Sequence, residues 1–317
     1  MKCLLLAVPA AATVLALAAC GSGSPGTGAG AGDADLTVTA AFYPLQWASE
    51  RVGGDHVAVA GLTKPGAEPH DLELTPKAVA EMASSDVVVY LKGFQPAVDD
   101  AVATQGGDAG FDVSPEADLT IAATEDGHDH AAESAEEHEE HAKGSPDAHF
   151  WLDPVRLQSV ATAIGERFAA ADPANAADYR ANATALAADL ATLDGEFRKG
   201  LAQCRSSELV TGHAAFAYLA DRYGLSQEGI AGITPDAEPD AATLRDLAAH
   251  VREHGVRTIY SETLVDPAIA QTLARETGAK VAVLDPLEGL TDTSKGKDYL
   301  EVMRSNLATL KDGQGCS

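Results

Sequence analysis

Basic residues are scarce in this chain. It has 22 Lys and Arg against 48 Asp and Glu, which gives a formal net charge of −26 and a pI near 4.5. A surface with this excess of negative charge repels the phosphate backbone of nucleic acids, so nucleic-acid binding is excluded as a function. The same surface attracts cations and therefore favours metal ions as ligands.

Cysteine is scarce as well, with four residues and no Cys-x-x-Cys pair, which excludes zinc ribbons and thioredoxin-like redox sites. The His-Glu-x-x-His motif of zinc hydrolases is also missing, because His138-Glu139-Glu140-His141 is too short. Hydrophobic residues make up 45% of the chain and charged residues 22%, as is usual in globular proteins. At about 150 residues per domain, the 317 residues predict two domains with sizeable cores.

Residues 1–19 are predicted to be a secretory signal peptide. Lys2 is followed by an uncharged apolar run that is too short to span a membrane comfortably. The run ends in Leu17-Ala18-Ala19-Cys20, which resembles the bacterial lipobox, where the cysteine becomes the lipidated first residue after cleavage. The alternative is ordinary cleavage with Cys20 incidental. The Gly- and Ser-rich composition that follows predicts a flexible tether over residues 20–35.

Short apolar segments alternate with helical segments in the rest of the chain, which predicts an α/β fold with parallel sheets. An N-terminal lobe is expected over residues 36–171, one long rigid helix over 172–200, and a C-terminal lobe over 201–317. Strands are predicted at residues 36–41, 57–62 and 86–91, and then at 208–211, 230–233, 258–261 and 281–284. The acidic, histidine-bearing segment 125–144 has almost no large apolar residues and is expected to be a surface loop.

Four potential metal ligands lie where a predicted strand or segment ends. They are His70, His149, His213 and Asp285, two from each predicted lobe. Ligands of open α/β sheets bind at the carboxyl ends of strands, so these side chains are expected to meet between the lobes. Any one of them alone would be interpreted as an ordinary boundary residue, but four similar placements favour a metal site in the interlobe cleft.

The residues around these positions resemble one known family. Gly66 to Asp71, His149 to Pro154, Gly212 to Tyr218 and the late Asp285 look like the metal-binding solute receptors of ABC importers, the cluster A-I group, over nearly all of residues 36–311. The resemblance implies two α/β lobes joined by one rigid helix, with the metal in the cleft. It also implies His70, His149, His213 and Asp285 as ligands, and an ABC permease and its ATPase as partners.

The third ligand position indicates the metal. Manganese receptors of this family have a carboxylate there, whereas this chain has His213. Three imidazoles and one carboxylate suit Zn²⁺. Two alternatives remain open: Glu262 also ends a strand and would either support a ligating histidine or replace Asp285, and Glu68 is a possible extra ligand.

Two further features concern metal capture and export. His128, His130, His138 and His141 are interleaved with acids in segment 125–144, which favours weak, mobile zinc collection over a merely solvated loop. Cys204 and Cys316 remain after processing, and in an exported chain this favours a disulfide over two free thiols.

The expected function is therefore high-affinity extracytoplasmic zinc binding for an ABC importer, by a monomer tethered to the outer face of the cytoplasmic membrane through Cys20. The protein is not expected to be an enzyme, because four protein ligands leave no position for a zinc-bound water. The alternatives are a manganese receptor of the same family, a secreted zinc hydrolase, or a metal-buffering adhesin.

Overall fold

The computed structural model describes residues 34–123, 145–235 and 239–317. They belong to one unit, Ala34–Ser317, that contains two parallel sheets. The first sheet has the strand order β2-β1-β3-β4. Its strands are β1 (Leu36–Ala40), β2 (Val57–Gly61), β3 (Val87–Tyr90) and β4 (Gly110–Asp112), and its lobe contains helices α1 (Tyr43–Gly53), α2 (Pro76–Ala83), α3 (Pro96–Ala101) and α4 (Ser114–Ala117).

The second sheet repeats this arrangement, with the strand order β6-β5-β7-β8. Its strands are β5 (Glu208–Thr211), β6 (Ser226–Gly229), β7 (Thr258–Ser261) and β8 (Lys280–Val283), and its helices are α7 (Ala217–Tyr223), α8 (Ala241–Glu253), α9 (Ala268–Thr277) and α10 (Tyr299–Gly313). All pairings in both sheets are parallel. The predicted fold of two parallel-sheet α/β lobes is therefore confirmed.

Two long helices lie between the sheets in the chain, α5 (Pro154–Ala171) and α6 (Ala176–Gly200). Helix α5 begins at a favourable cap, because the Asp153 carboxylate accepts from Val155 N and proline occupies the first position. The 25 residues of α6 span about 38 Å. Helix α6 packs against α1 and α5 of the first lobe and against α10 of the second, and it thus contacts both lobes.

One buried stripe on α6 explains this packing. Its members recur every three or four residues, the spacing of one helix face: Tyr179, Ala183, Leu186, Leu190, Leu193 and Phe197. They belong to a single apolar cluster that also includes residues of both sheets. A smaller cluster in the second lobe includes Val210 and Ile259 from the strands, Leu247 and Val251 from α8, and Leu273 from α9.

The two lobes also meet directly through buried aromatic residues. Trp151 Nε1 donates to Pro286 O over 2.8 Å, and Tyr299 OH donates to Trp151 O. Tyr218 OH donates to Asp147 O over 3.1 Å. These bonds fix the segment that precedes α5 against the second lobe, next to the site described below.

The prediction of a strand at residues 230–233 is wrong. The strand is β6, Ser226–Gly229, which lies at the sheet edge, where a polar sequence is tolerated because its first three residues are exposed or only partly buried. Ile230 instead follows the strand and is buried in the smaller cluster. The chain turns tightly here, since a Cβ on Gly229 would lie 2.4 Å from Ala231 O. Strand β4 and helices α1, α3 and α4 were not predicted.

Candidate metal centre

His70 lies in the turn that follows β2. The Glu68 carboxylate accepts from the backbone nitrogens of His70 and Asp71 over 3.0 and 3.2 Å, which fixes the turn. Gln95 Nε2 donates to Pro69 O over 3.0 Å. The imidazole of His70 packs edge-on against the ring of Phe94, with the ring centroids 4.8 Å apart. These contacts aim the ring at the second lobe.

His149 is fully buried just ahead of the short 3₁₀ helix Phe150–Leu152. A single oxygen, Asp147 Oδ1, accepts from His149 N over 2.8 Å and lies 2.7 Å from Nδ1. The carboxylate therefore holds the proton on Nδ1 and leaves Nε2 to face the cleft.

His213 follows β5 in the second lobe, and its support is similar. Glu262, at the end of β7, accepts from His213 N over 2.8 Å through one oxygen and contacts Nδ1 through the other. The carboxylate reaches this position because residue 212 is glycine: a Cβ there would lie 2.8 Å from Glu262 Oε1. His213 is fully buried, like His149.

Glu288 completes the cluster. Its Oε1 lies 3.1 Å from Nε2 of His70, 3.0 Å from Nε2 of His149 and 3.2 Å from Nε2 of His213. The candidate ligand atoms of all four residues lie within 4.8 Å of one another. Glu288 Oε2 is buried and has no hydrogen-bond partner among the described residues. A buried carboxylate with one oxygen beside three imidazole nitrogens and the other oxygen unpartnered is the donor arrangement that a cation would satisfy.

Glu288, and not Asp285, occupies the fourth position, so the choice of Asp285 from the sequence is corrected. The Asp285 carboxylate accepts from Leu287 N over 2.9 Å and from Ser294 Oγ over 2.7 Å. Asn306 Nδ2 donates to Asp285 O over 2.7 Å. Leu287 has a φ of 60°, in the left-handed region, and this turn brings Glu288 to the cluster. Asp285 thus holds the loop that carries Glu288.

The sequence offered one signal for Glu288 that the prediction missed. Glu288 lies five residues after the end of β8, in the same loop as Asp285. A carboxylate followed by Gly289 in a loop at the carboxyl end of a strand satisfies the same rule that selected Asp285. Only the turn at Leu287 distinguishes the two carboxylates.

The charged groups of the cluster shift one another's pKa values. Burial disfavours the charged form of His213, but Glu262 and Glu288 outweigh it and hold the pKa of His213 well above its usual value. Burial acts in the same direction on His149, and Asp147 and Glu288 raise its pKa. Burial opposes the charged form of Glu288, yet His213, His149 and His70 hold its pKa well below its usual value. The metal-free cluster therefore binds protons where a cation would bind.

The other predicted site residues lie as follows. Glu262 supports His213 from the side away from the cleft, which was one of its two predicted roles. Glu68 Oε1 lies 3.9 Å from His70 Nε2, and it is not one of the four clustered groups. Cys204 and Cys316 form the predicted disulfide. Cys20 and the histidines of segment 125–144 (His128, His130, His138 and His141) lie outside the described residues.

Known proteins resemble this chain over most of its length. A family model described as "Zinc-uptake complex component A periplasmic", ZnuA, matches residues 38–313. The high-affinity zinc uptake system protein ZnuA of Bacillus subtilis is 36% identical over 292 residues, which cover 87% of each chain. The zinc-binding protein AdcA of Streptococcus pyogenes is 36% identical over 290 residues, which cover 86% of this chain and 55% of AdcA.

A solved structure agrees with the fold. The Zn(II)-bound AdcA of Streptococcus pneumoniae matches with a TM-score of 0.72 and 33% identity, over 88% of this chain and 58% of that one. The chain thus spans little more than half the length of the AdcA relatives that it matches. Within the described ranges, none of the helices has the length and apolar character needed to cross a membrane.

Proposed function

Because the chain belongs to the ZnuA family of zinc-uptake components, we propose that it is an extracytoplasmic receptor that binds one Zn²⁺ and delivers it to an ABC importer. The observation that carries this proposal is the convergence of His70, His149 and His213 on Glu288 in the interlobe cleft. Each lobe contributes two of the four groups, so the bound ion would bridge the two lobes.

The donor set supports zinc as the cargo. Three imidazole nitrogens and one carboxylate oxygen fill the four positions of tetrahedral Zn²⁺, whereas Mn²⁺ prefers more oxygen ligands. The Nδ1 atoms of His149 and His213 already face carboxylates, so the Nε2 lone pairs are directed at the cleft. We propose His70, His149, His213 and Glu288 as the ligands.

Zinc and protons exclude each other in this site. Without the ion, protonated imidazoles of His149 and His213 would donate from Nε2 to Glu288 Oε1, which lies 3.0 and 3.2 Å away, and the pKa of His213 is raised accordingly. A zinc ion replaces those protons, because each ligating imidazole must be neutral. Asp147 and Glu262 keep their Nδ1 protons and hold the two buried rings in place during the exchange.

A carrier is favoured over a hydrolase. Four protein ligands leave no coordination position for a catalytic water, which a zinc hydrolase requires. Release of the ion instead requires the two lobes to separate, since each holds two ligands. An ion that is held by four ligands, two from each lobe, can be bound tightly while the lobes are together and released to a transporter when they separate.

We propose that the protein acts at the membrane surface together with a transporter. Cys20 would be lipidated and would anchor the protein to the outer face of the cytoplasmic membrane. A flexible linker of 15 residues, the length of segment 21–35, would have a root-mean-square reach of roughly 20 Å. The receptor would act as a monomer on an ABC permease with its ATPase, at a raised local concentration. Segment 125–144 would collect zinc weakly through its four histidines.

The proposal is tested by metal analysis of protein purified from its native host, together with calorimetry. We expect zinc at one equivalent, and a His213→Ala variant that loses affinity for zinc by at least about a hundredfold. His254→Ala, which removes an exposed histidine from the end of α8, serves as the matched control. Manganese as the native metal, or a His213→Ala variant that binds zinc like the parent, would contradict the proposal.

A further inference from the structure

A second concave region lies at the opposite end of the C-terminal lobe from the metal cluster. It is a depression of about 1100 Å³, bordered by the Cys204–Cys316 disulfide. Strands β7 and β8 begin here, at Thr258 and Lys280, and point away toward the cleft. Strand β7 runs from this depression to Ser261, and the next residue, Glu262, supports His213. The two regions are therefore separate.

Positive charge is concentrated in this depression. Its lining includes Arg205, Arg257, Lys280 and Lys311, with Asp312 as the one acidic side chain. All four cationic residues are exposed. Counted over the lining side chains, four cations and one carboxylate leave three net positive charges here, in a chain whose formal net charge is −26. The local charge is therefore opposite in sign to that of the whole chain.

The four cations have no carboxylate partner within the described ranges. Other arginines are paired there, for example Arg180 with Glu166 and Arg304 with Glu196, but none of the ion pairs includes a cation of the depression. The chain has 48 acidic residues, so a shortage of carboxylates does not explain why these four cations form no ion pair. Unpaired like charges in one concavity repel one another, and a bound anion would relieve that repulsion.

Helix dipoles do not account for the cluster. Helices α8, α9 and α10 end near the depression, and a cation in the last turn of a helix is favourable. That reason applies to Lys311, which lies in the last turn of α10. Arg205, Arg257 and Lys280 lie outside the helices, just before or at the start of strands, where the dipole effect has fallen off.

We propose that this depression is a binding site for a phosphate-bearing anion. A phosphate monoester concentrates about −1.5 to −2 charges on one group near pH 7, more than a carboxylate carries. The guanidinium groups of Arg205 and Arg257 match its oxygens in geometry, and the two lysines add point charges. The volume of about 1100 Å³ exceeds that of one inorganic phosphate, so the depression has room for a ligand that carries more than the phosphate alone.

The acidic remainder of the protein does not prevent this. At physiological ionic strength the Debye length is about 8 Å, so distant carboxylates are largely screened at the depression. The anion could be the headgroup of a membrane lipid or a soluble phosphorylated compound. Both ligands carry a phosphate group, and the experiment below distinguishes between them.

The test uses the metal-free full chain and two probes. Binding of inorganic tripolyphosphate is measured by calorimetry, and binding to vesicles of phosphatidylglycerol and phosphatidylcholine by sedimentation, with pure phosphatidylcholine vesicles as the reference. Two variants probe the depression, Arg205→Gln/Arg257→Gln and Lys280→Gln/Lys311→Gln. The matched control, Lys77→Gln/Lys92→Gln, removes two exposed positive charges from the N-terminal lobe.

We expect the parent chain to bind at least one probe, both depression variants to weaken that binding about tenfold or more, and the control to bind like the parent. Binding to the anionic vesicles identifies the lipid headgroup as the source, and binding to tripolyphosphate alone identifies a soluble ligand. The proposal is overturned if the parent binds neither probe, if the depression variants bind like the parent, or if the control loses as much affinity as they do.

Discussion

At the scale of single residues, the site depends on the different tasks of two neighbouring carboxylates. Glu288 contacts all three imidazoles, whereas Asp285 is occupied by Leu287 N and Ser294 Oγ. The first carboxylate supplies charge to the cluster, and the second shapes the loop that delivers it.

These tasks predict an order of effects for two conservative variants. Glu288→Gln removes the charged oxygen donor and keeps the shape, so zinc affinity should fall by roughly a hundredfold or more. Asp285→Asn keeps part of the hydrogen bonding and should cost about tenfold or less. Calorimetric titration of both variants with zinc measures this order. A larger loss of zinc affinity in Asp285→Asn than in Glu288→Gln would indicate that Asp285 is the ligand.

The pKa shifts in the cluster predict how zinc binding depends on pH. The pKa of His213 lies well above 6.5 and that of His149 is also raised, so protons occupy the metal-free site at pH values where free histidine is neutral. Zinc must displace them. Affinity should therefore begin to fall as the pH is lowered while it is still above 6.5, and should decline steeply below.

Calorimetry in buffers of different ionisation enthalpy checks this directly. We expect zinc binding at pH 7 to release protons, and to release fewer of them in a His213→Ala variant. Equal affinity at pH 7.5 and pH 5.5, with no proton release, would show that buried imidazoles do not compete with protons for the metal.

The sequence predicted the three histidines and missed the carboxylate, for a physical reason. His213 lies two residues after β5, His70 lies in the segment that follows β2, and His149 lies directly before a helix, so their positions at the boundaries of elements, together with their imidazole chemistry, mark them in the sequence. Glu288 reaches the site only through the left-handed turn at Leu287. Leucine rarely adopts that conformation, and so a sequence pattern gives no warning of it.

At the scale of elements, the strand bounds predicted from the sequence are correct where the strand is buried and its residues are therefore apolar. Strands β5 and β7 are buried, and their predicted bounds match the structure. Strand β6 lies at an edge, and its Ser-Gln-Glu-Gly sequence carries none of the apolar signal that marks a buried strand. Helix α6 begins four residues after the predicted start, because the Asp172-Pro173 segment forms a turn before it.

The disulfide should stabilise the fold without affecting zinc. It joins cysteines 112 positions apart and lies at the end of the lobe remote from the cluster. A Cys204→Ser/Cys316→Ser variant should lose about 2–4 kcal/mol of unfolding free energy. Thermal unfolding measures this as a lower midpoint, with zinc affinity as the internal control. An unchanged midpoint, or zinc affinity that falls together with stability, would contradict the assignment.

Segment 125–144 is predicted to be dispensable for the tight site. Its composition offers almost no large apolar residues to a core, and the four clustered groups lie outside it. Deletion of these residues should remove weak zinc binding and leave one tight equivalent with cooperative unfolding. Loss of the tight equivalent in calorimetry would mean that the segment helps to build the cleft.

At the scale of the whole molecule, two lobes have the same strand order, and residues that follow strands of each lobe meet in one cluster. The alternation of strands and helices in the sequence predicted this architecture. The contacts that fix the lobes together join residues far apart in the sequence, for example Trp151 and Pro286 at a separation of 135 positions, and no local pattern indicates them. The central claim is that a zinc ion binds across the interlobe cleft and joins the two lobes.

X-ray absorption spectroscopy of the chain loaded with one equivalent of zinc tests that claim most directly. The account predicts three imidazole nitrogens at about 2.0–2.1 Å with carboxylate oxygen as the remaining donor, and a spectrum that loses one imidazole in His70→Ala from the first lobe and one in His213→Ala from the second. A parent spectrum with fewer than three imidazoles, or one that neither variant changes, would contradict it.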